Sequence, residues 1–310
     1  MRNYGICYQG SKNKIADKII NLFPPKNNLY DLFAGGCSIT HAALLSRKFE
    51  NVYTNDLNPA IINLFKGAIK GDYTPAKRPE WISKEDFFRL KDTDPYIFYC
   101  WSFGNMGKGY LYSEDIEPYK KALHYAIIYN DFTLLKGFYP DINLEFLKYE
   151  NTINGRRLAI KKYFQNNKAL LQSAQNDGLT EIRLQSLERL ESLERLESRF
   201  TSLDYAAIEI EPESVIYCDI PYEATEGYNN IEFDYQRFYS WAKKQSELLL
   251  ISSYDMPEDL FICVAEIPHR CTLAQDKTDK AVIERVFIPR HQEQLYKALR
   301  PEPTLFDDMY

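Results

Sequence analysis

No run of apolar residues in the 310-residue chain approaches the ~18 needed to cross a membrane. The first residues, MRNYGICYQGSKNK, also lack the apolar stretch of a signal peptide, so we expect no export and a cytoplasmic location. Hydrophobic residues at 45% and charged residues at 26% are typical of a soluble globular protein. The length allows one large domain, or one catalytic domain that carries a smaller insert.

Metal-ligand spacings and paired cysteines are missing as well. The four histidines show no spacing typical of metal ligands. No two cysteines form a Cys-x-x-Cys pair, and the six are scattered over the chain: Cys7, Cys37, Cys100, Cys218, Cys263 and Cys271. We therefore predict no metal centre and no disulfide bonds, with reduced and mostly buried thiols.

Acidic residues are absent from residues 151–176, in a chain whose net charge is −6. The basic residues of this segment are Arg156, Arg157, Lys161, Lys162 and Lys168. On a helix, Arg157, Lys161 and Lys168 would lie on one face. This face is either solvated or in contact with phosphates, and the charge pattern favours neither interpretation.

The first part of the chain predicts a parallel sheet. The segment NNLYDLFAGG is typical of a strand that ends in a glycine turn, SITHAALLSR of a helix, and NVYTNDLNP of a second strand. This order forms a βαβ unit, so we predict an α/β, Rossmann-like fold. The alternation of strands and helices stops near Gly71 and resumes near Phe200.

The interruption predicts a catalytic domain that is split in the sequence, formed by residues 1–70 and 200–310. Residues 71–199 would form an inserted, mainly helical lobe, with helices near residues 118–129 and 158–171. In the second part of the split domain, the segments LFICVAEI and AVIERVFI are predicted to pair as antiparallel strands at one edge of the sheet.

A sequence repeat, SLERLESLERLES, occupies residues 186–198. Leucines recur every three residues from Leu184 to Leu196. On an α-helix this spacing falls about 60° short of a full turn, so the leucines would spiral around the helix. They would not form a coiled-coil seam. We prefer a helical linker over a partner-binding site as the interpretation of this repeat.

The ends of the first two predicted strands carry residues that indicate a cofactor site. Gly35 and Gly36 let the backbone approach a ligand closely at the start of a helix. Asp56 ends the second strand, where a carboxylate can accept hydrogen bonds from both hydroxyls of a ribose. Together these residues predict an adenosine-containing cofactor. Asp56 is also a candidate N-cap for the helix that begins near Pro59.

A further motif follows the apolar run SVIY: the tetrapeptide Asp219-Ile220-Pro221-Tyr222. It resembles the Asp-Pro-Pro-Tyr motif of DNA methyltransferases that modify an exocyclic amine of a base with S-adenosylmethionine. The segments YQGSK, DLFAGG and NDLNP resemble cofactor motifs of the same family. Their order is similar to that of the Dam-like class of adenine methyltransferases, including phage members. The loop FYCWSFGNMGKGYLYS is similar to one common in phage-encoded members.

The resemblance implies a catalytic role for the tetrapeptide on double-stranded DNA. The Asp219 carboxylate and the Ile220 carbonyl would hold the two hydrogens of the adenine amine, which makes its nitrogen a better nucleophile. Pro221 would restrict Ile220 and so aim its carbonyl. Tyr222 would stack on a base flipped out of the duplex.

The resemblance also implies S-adenosylmethionine as the cofactor and assigns residues to it. Besides the two glycines and Asp56, these residues are Tyr8, Lys12, Asp31, Phe33, Asp204 and Tyr205. Lys12 is expected to pair with the cofactor carboxylate, with Tyr8 packed beside it, and Asp31 is expected to hold the amino group. Asp204 would meet the adenine amine of the cofactor, and Tyr205 would lie against the adenine ring.

Two positions depart from the family pattern. Ile220 stands where the family has its first proline, and Cys37 stands where many relatives have another glycine. The carbonyl of Ile220 is kept, so the expected hydrogen bond to the amine is kept as well. The catalytic loop loses one rigid ring.

The inserted lobe is expected to contact the DNA target, through residues 101–110 and the basic segment. The candidate DNA-binding residues are Lys108, Arg156, Arg157, Lys161 and, in the loop after the tetrapeptide, Tyr228. That loop also contains Thr225 and Gly227, and it is a candidate lid over the extruded nucleotide. In the C-terminal segment, Leu305 and Phe306 are a less favoured candidate for docking to a replication partner.

Two other functions stay open at this point. In the first, the enzyme methylates the amino group of cytosine or of an RNA adenine. Cytosine-modifying relatives more often carry serine at the position of Asp219, which favours adenine. Alternatively, the protein binds DNA with a decayed active site, of which Ile220 is the sign. A companion restriction nuclease is compatible with each enzymatic interpretation.

Overall fold

The computed structural model of the chain describes residues 4–6, 8, 10–105, 107–140, 142, 150–166, 187, 190, 193, 198–221, 233–270 and 281–299. The chain forms two compact units. The sheet unit comprises residues 1–5, 10–63 and 193–310, and the helical unit comprises residues 6–9 and 64–192.

Seven strands of the described residues form one sheet. They are β1 (Asn28–Asp31), β2 (Asn51–Asn55), β3 (Ser198–Thr201), β4 (Ser214–Asp219), β5 (Leu248–Ser253), β6 (Phe261–Arg270) and β7 (Ala281–Pro289). The strand order is β3-β2-β1-β4-β5-β7-β6. The strands from β3 to β5 are parallel, whereas β7 is antiparallel to both β5 and β6. The predicted α/β class is confirmed, as is the antiparallel pair at one edge.

Ten α-helices lie in the described parts of the chain. They are α1 (Ala16–Leu22), α2 (Ser38–Ser46), α3 (Pro59–Ile69), α4 (Lys84–Leu90), α5 (Pro95–Cys100), α6 (Glu117–Ile128), α7 (Thr133–Phe138), α8 (Ile153–Asn166), α9 (Tyr235–Ala242) and α10 (Glu293–Leu299). Short 3-10 turns lie at Phe103–Asn105, Tyr205–Ala207 and Arg290–Gln292. Helix α6 confirms the helix predicted near residues 118–129. Helix α8 begins five residues before the predicted start at Leu158, and the predicted end at Leu171 lies outside the described residues.

The two faces of the sheet bury different side chains. Successive residues of a strand point to opposite faces, so the register sorts them into two sets. One face is apolar and packs against α9, with buried residues Tyr30, Leu32, Ile216, Cys218, Ile220, Leu249 and Ile251. The other face carries polar side chains, namely Asp31, Thr54, Tyr217, Asp219, Ser252 and Glu284. Thr40 of α2 donates to Asp31 on this second face.

The helical unit has its own apolar core, built where α6, α7 and α8 pack together. Its buried members include Tyr119, Leu123, Ile127, Leu135, Ile160 and Phe164. These residues recur at helical spacing on their elements, which explains why the three helices pack through those faces. No helix among the described residues has both the length and the apolar character needed to cross a membrane.

Three leucines of the repeat are described, and all three are buried: Leu187, Leu190 and Leu193. The predicted spiral assumes α-helical geometry. Leu190 and Leu193 instead have 3-10 conformation, in which residues three positions apart lie on the same face. A spacing of three therefore suits burial here. Leu184 and Leu196 lie outside the described residues.

Candidate active site

The glycine turn after β1 is fixed to the end of β2. The amide of Gly35 donates to Asp56 Oδ2 over 2.7 Å, and Gly35 has a φ of 47°. The amide of Cys37 donates to the carbonyl of Ala34 over 2.7 Å, which closes the turn just before α2. The predicted companions Gly35 and Asp56 are therefore in direct contact, as the carboxyl ends of two neighbouring parallel strands allow.

Asp56 is not the N-cap of the following helix. Its Oδ1 accepts from the amide of Asn58 over 2.9 Å. The cap is Asn58, whose Oδ1 accepts from the amide of Ala60 in the first turn of α3. The alternative role considered for Asp56 is therefore wrong, because Pro59 opens the helix and places the cap one residue before it. Burial raises the pKa of Asp56, against the lowering effect of its two amide donors.

Asp31, at the end of β1, has one carboxylate oxygen that is satisfied and one that is not. Its Oδ2 accepts from the amide of Thr40 over 3.1 Å and from the Thr40 hydroxyl over 2.7 Å. Its Oδ1 is buried and accepts no hydrogen bond from the described residues. Burial, with a smaller contribution from Asp219 and Asp56, raises the pKa of Asp31 to about 7. A buried acceptor without a donor suits a cationic ligand group.

Asp219, the last residue of β4, is bound by a buried lysine. Lys12 Nζ donates to Asp219 Oδ1 over 2.7 Å and lies 3.8 Å from Glu284 Oε1 in β7. Burial alone would lower the pKa of Lys12, but the charges of Asp219 and Glu284 raise it above its ordinary value. The Asp219 side chain keeps 20% of its surface accessible, against 6% for Lys12 and 2% for Glu284. Asp219 thus faces outward from a charged cluster.

The ammonium of Lys12 lies on Asp219. The contact of Lys12 with the cofactor carboxylate, which the resemblance implies, stays a prediction. Sequence reasoning missed Glu284, although an acid in the mainly apolar segment AVIERVFI is an available signal.

Gly5 is a second residue that the sequence analysis missed. Its φ is 67°, and its amide donates to Nδ1 of His41 in α2 over 2.9 Å. A Cβ atom at this position would collide with the carbonyl oxygen of Gly36 and would approach Ser38 to 2.8 Å. The segment at Gly5 therefore lies directly against the glycine turn. The glycine in NYGIC was the only sequence signal.

Asp204 and Tyr205 lie next to each other after β3, and a residue from α9 binds both. Asp204 caps the 3-10 turn by accepting from the amide of Ala206. Both of its oxygens also accept from Arg237, each over 2.8 Å, and the guanidinium lies 5.3 Å from the Tyr205 ring centre. Arg237 holds the pKa of Asp204 below its ordinary value. Phe33 packs against Tyr205, with ring centres 5.3 Å apart.

The described part of the tetrapeptide, residues 219–221, joins the apolar core to the surface. Ile220 is buried in the cluster that packs against α9, which explains how an apolar side chain is accommodated at this position. Pro221 is partly buried, and its carbonyl accepts from the hydroxyl of Tyr235 over 2.9 Å. Tyr222, Thr225, Gly227 and Tyr228 lie outside the described residues.

Candidate DNA-binding residues of the helical unit fall into two groups. Lys108 and Lys161 are exposed, and Arg157 is partly exposed and donates to Asn154 Oδ1. Arg156 is buried, and its guanidinium donates to the carbonyls of Ile127 and Ile128 at the end of α6. The expected DNA contact of Arg156 is corrected to a structural one, because the helix places it against α6 on the face opposite to Lys161.

The predicted cofactor residue Tyr8 belongs to the helical unit. Its ring packs against Tyr99 of α5, with ring centres 5.8 Å apart. In the loop after α5, the side chain of Phe103 is 75% exposed, which is the largest value among the exposed apolar side chains of the described residues. Sequence analysis selected this loop without singling out Phe103, because exposure cannot be read from one aromatic residue.

A cavity of about 270 Å³ is lined by residues that include Tyr30, Tyr53, Arg199, Leu203 and Glu211. None of the residues assigned to the cofactor is among its lining residues, although Leu203 directly precedes Asp204 in the sequence.

The strand order, the glycine turn after β1 and the acid at the end of β2 define the α/β fold of S-adenosylmethionine-dependent methyltransferases. Residues 8–254 match the family described as D12 class N6 adenine-specific DNA methyltransferase, and the chain belongs to this family. No curated protein matches the chain. The predicted enzyme class and the predicted adenine target in DNA are thereby confirmed. The family match favours this target over the amino group of cytosine and over an RNA adenine. Methyltransferases of this kind generally use S-adenosylmethionine.

Proposed function

We propose that the sheet unit binds S-adenosylmethionine at the carboxyl ends of β1 and β2 and methylates a flipped adenine of double-stranded DNA at Asp219. The supporting observation is the convergence of three carboxylates, Asp31, Asp56 and Asp219, at the ends of three neighbouring strands. The buried Oδ1 of Asp31 provides the test of fit, because it lacks a donor and the cofactor carries an ammonium group.

Each end of the cofactor has residues that suit it. Asp31 would hold the ammonium group, and the turn at Gly35 and Gly36 lets the backbone approach the ligand. Asp56, already oriented by the Gly35 amide, would accept from the ribose hydroxyls. The adjoining group of Phe33, Asp204 and Tyr205 would receive the adenine, with Arg237 holding the Asp204 carboxylate in place.

Asp219 would act on the target base. When bound, S-adenosylmethionine would supply a methyl group on a positively charged sulfur: the amine nitrogen would bond to the methyl carbon while the bond from that carbon to sulfur breaks, and a neutral thioether would leave. The Asp219 carboxylate would accept one hydrogen of the adenine amine, and the Ile220 carbonyl would accept the other. The Lys12 ammonium favours the ionised carboxylate. After transfer, the excess proton of the nitrogen would leave to Asp219 or to solvent.

The helical unit would provide the contacts with the DNA target. Lys108, Arg157 and Lys161 offer cations for phosphates, and Phe103 offers an exposed ring in the same loop as Lys108. An exposed ring suits stacking on a base. In sequence, this unit is the insertion that we expect between residues 1–70 and 200–310.

A methyl-transfer assay tests the catalytic proposal. Duplex DNA is incubated with labelled S-adenosylmethionine and either the wild-type chain, Asp219→Ala or the control Asp259→Ala, which removes an exposed acid. We expect Asp219→Ala to lower incorporation by more than about a hundredfold, the scale for a group that handles the reacting proton. Asp259→Ala should match the wild type. Digestion of the product should yield N6-methyladenine.

The possible outcomes separate the interpretations. Equal incorporation by the wild type and Asp219→Ala would remove Asp219 from the mechanism. Tight DNA binding without incorporation by any variant would favour the decayed active site. Incorporation into RNA but not duplex DNA would replace the proposed substrate.

A binding assay tests the proposed role of the helical unit. Phe103→Ala should weaken duplex DNA binding about tenfold. This is the effect expected for the loss of one stacked base, because stacking of a base on an aromatic ring contributes about 1–3 kcal/mol to binding. Phe88→Ala is the matched control, since Phe88 of α4 is 48% exposed. Equal weakening by both variants, or by neither, would contradict a specific contact at Phe103.

A further inference from the structure

Three charged side chains from distant parts of the sequence meet on the polar face of the sheet unit. Lys12 precedes α1, Asp219 ends β4, and Glu284 lies in β7. The Lys12 ammonium is 2.7 Å from one carboxylate and 3.8 Å from the other. The lysine therefore lies between an acid that reaches the surface and an acid that does not.

The register explains how Glu284 reaches this cluster. Ser252 of β5 pairs with Asp219 on one side and with Val286 on the other, so these three side chains share a face of the sheet. Glu284 is two residues from Val286 and therefore points to the same face. Its neighbours in the sequence, Ile283 and Arg285, point to the opposite face, and 2% of its side chain is accessible. A carboxylate buried to this degree is costly unless a cation or a proton accompanies it.

Several titratable groups lie near the cluster. Asp31, Asp56, Tyr217 and Cys218 lie near enough to Asp219 to interact with it electrostatically, and Tyr254 interacts with Lys12. With Lys12 charged and both Asp219 and Glu284 ionised, the three-residue cluster carries a net charge of −1. With Glu284 neutral, Lys12 would compensate Asp219 alone and the pair would be neutral.

We propose that Glu284 is a positioning residue for methyl transfer, which anchors Lys12 and keeps negative charge available on Asp219. This inference rests on the proposed function of Asp219. A carboxylate that shares its lysine with a second acid is a stronger hydrogen-bond acceptor for the adenine amine than one that is fully compensated. It is also a better acceptor for the proton that leaves after transfer.

The test compares the pH dependence of kcat in the wild type, Glu284→Gln, Glu284→Asp and Glu266→Gln. Assays at saturating S-adenosylmethionine report groups in the bound complex, so the titration of Asp31 in the free protein does not contribute. Glu266 is the matched control, because it is an exposed glutamate on the neighbouring strand and pairs with Arg285 over 2.9 Å. Asp219→Ala in the same assay reports on the proposed function itself.

We expect Glu284→Gln to lower kcat about tenfold with the KM for S-adenosylmethionine changed less than about twofold. The acid limb of its profile should move to lower pH by about one unit, because loss of a nearby negative charge favours the ionised Asp219. Glu284→Asp keeps the charge, so its acid limb should stay in place while kcat falls about threefold. Glu266→Gln should match the wild type.

Each result decides the inference. A parallel loss of activity at all pH values in Glu284→Gln would indicate a structural role only and would overturn it. If Glu284→Gln does not fold, wild-type kcat in Glu284→Asp would overturn it instead. No transfer by the wild type would remove the proposed function together with the inference. Transfer by the wild type but not by Asp219→Ala, with an unchanged Glu284→Gln, would remove the inference alone.

Discussion

The two faces of the sheet are made from the same strands and serve different purposes. In β4, the apolar face receives Ile216, Cys218 and Ile220, whereas the polar face receives Tyr217 and Asp219. Both faces are buried along most of the strand, as is usual for a parallel sheet. The difference is clearest near the carboxyl ends of β1 and β4, where the polar face carries Asp31 and Asp219.

Side chains on the two faces of one strand therefore differ in what they contribute to the protein. A buried apolar group stabilises the fold through the surface it removes from water. A buried acid destabilises the fold unless a partner accompanies it, and is therefore informative about ligands. On the polar face, Asp219 has Lys12 as a partner, but Oδ1 of Asp31 has no donor among the described residues. The comparison predicts that substitutions on the two faces have effects of different kinds.

The largest expected effect is on stability and comes from the apolar face. Phe238 of α9 is fully buried against this face, so Phe238→Ala should lower the free energy of unfolding by about 3–5 kcal/mol. Urea denaturation measures the change. Asp219→Ala, which lowers transfer by more than about a hundredfold in our proposal, should change the free energy of unfolding by less than about 1 kcal/mol, since Glu284 remains as a partner for the buried Lys12 ammonium. A larger loss from Asp219→Ala would break the distinction between the faces.

The second prediction concerns Asp31 and pH. Burial raises the pKa of Asp31 from the ordinary value of 3.8 to about 7. Between these two pH values the carboxyl group is protonated in the folded chain and ionised in the unfolded chain. The cofactor-free protein should therefore lose stability as pH rises from about 4 to about 7, by a few kcal/mol at about 1.4 kcal/mol per unit of pKa difference. Asp31→Asn should flatten this part of the stability profile. The carboxamide oxygen can still accept from Thr40.

Cofactor binding should depend on the same group in the opposite direction: protonated Asp31 favours the folded state, whereas ionised Asp31 favours binding. An ammonium ligand requires ionised Asp31, so affinity for S-adenosylmethionine should fall below pH 7. It should also fall above about pH 8, where an α-amino group loses its proton. Calorimetric titration should show a maximum between these values that Asp31→Asn abolishes. Asp259→Asn, at an exposed acid, should leave both profiles unchanged, and an unchanged affinity maximum in Asp31→Asn would contradict the role of Asp31.

Sequence patterns predicted the parts of the site that lie in local motifs. The strand ends at Asp31, Asp56 and Asp219 follow from apolar runs that stop at an acid, and the parallel sheet brings such ends together. The roles of Lys12, Glu284 and Arg237 could not be predicted in this way. Their contacts join residues far apart in sequence, and a single lysine or glutamate carries no signal of its partner. Burial of Arg156 was missed for the same reason.

A third prediction concerns the close approach at Gly5. Gly5→Ala places a Cβ atom against the Gly36 carbonyl at a φ of 67°, so either the glycine turn or the N-terminal segment must shift. We expect a loss of about 2 kcal/mol in the free energy of unfolding. Affinity for S-adenosylmethionine should fall about tenfold, since the turn belongs to the proposed cofactor site. Gly137→Ala is the control, because nothing lies within 4 Å of its added Cβ atom. This substitution should stabilise α7 slightly, since alanine favours helix more than glycine does.

The smallest expected effect tests the departure from the family pattern at Cys37. This residue has left-handed conformation, with a φ of 56°, which explains why a glycine suits the position. Cys37→Gly should relieve roughly 1–2 kcal/mol of backbone strain, but it also loses the burial of the thiol, which stabilises the fold by a similar amount. The free energy of unfolding should therefore change by less than about 1 kcal/mol. Cys37→Val keeps the bulk but adds a branch at Cβ, and it should lose at least about 2 kcal/mol. Urea denaturation of both variants decides the matter, because a large loss in Cys37→Gly would show that the thiol packing outweighs the strain.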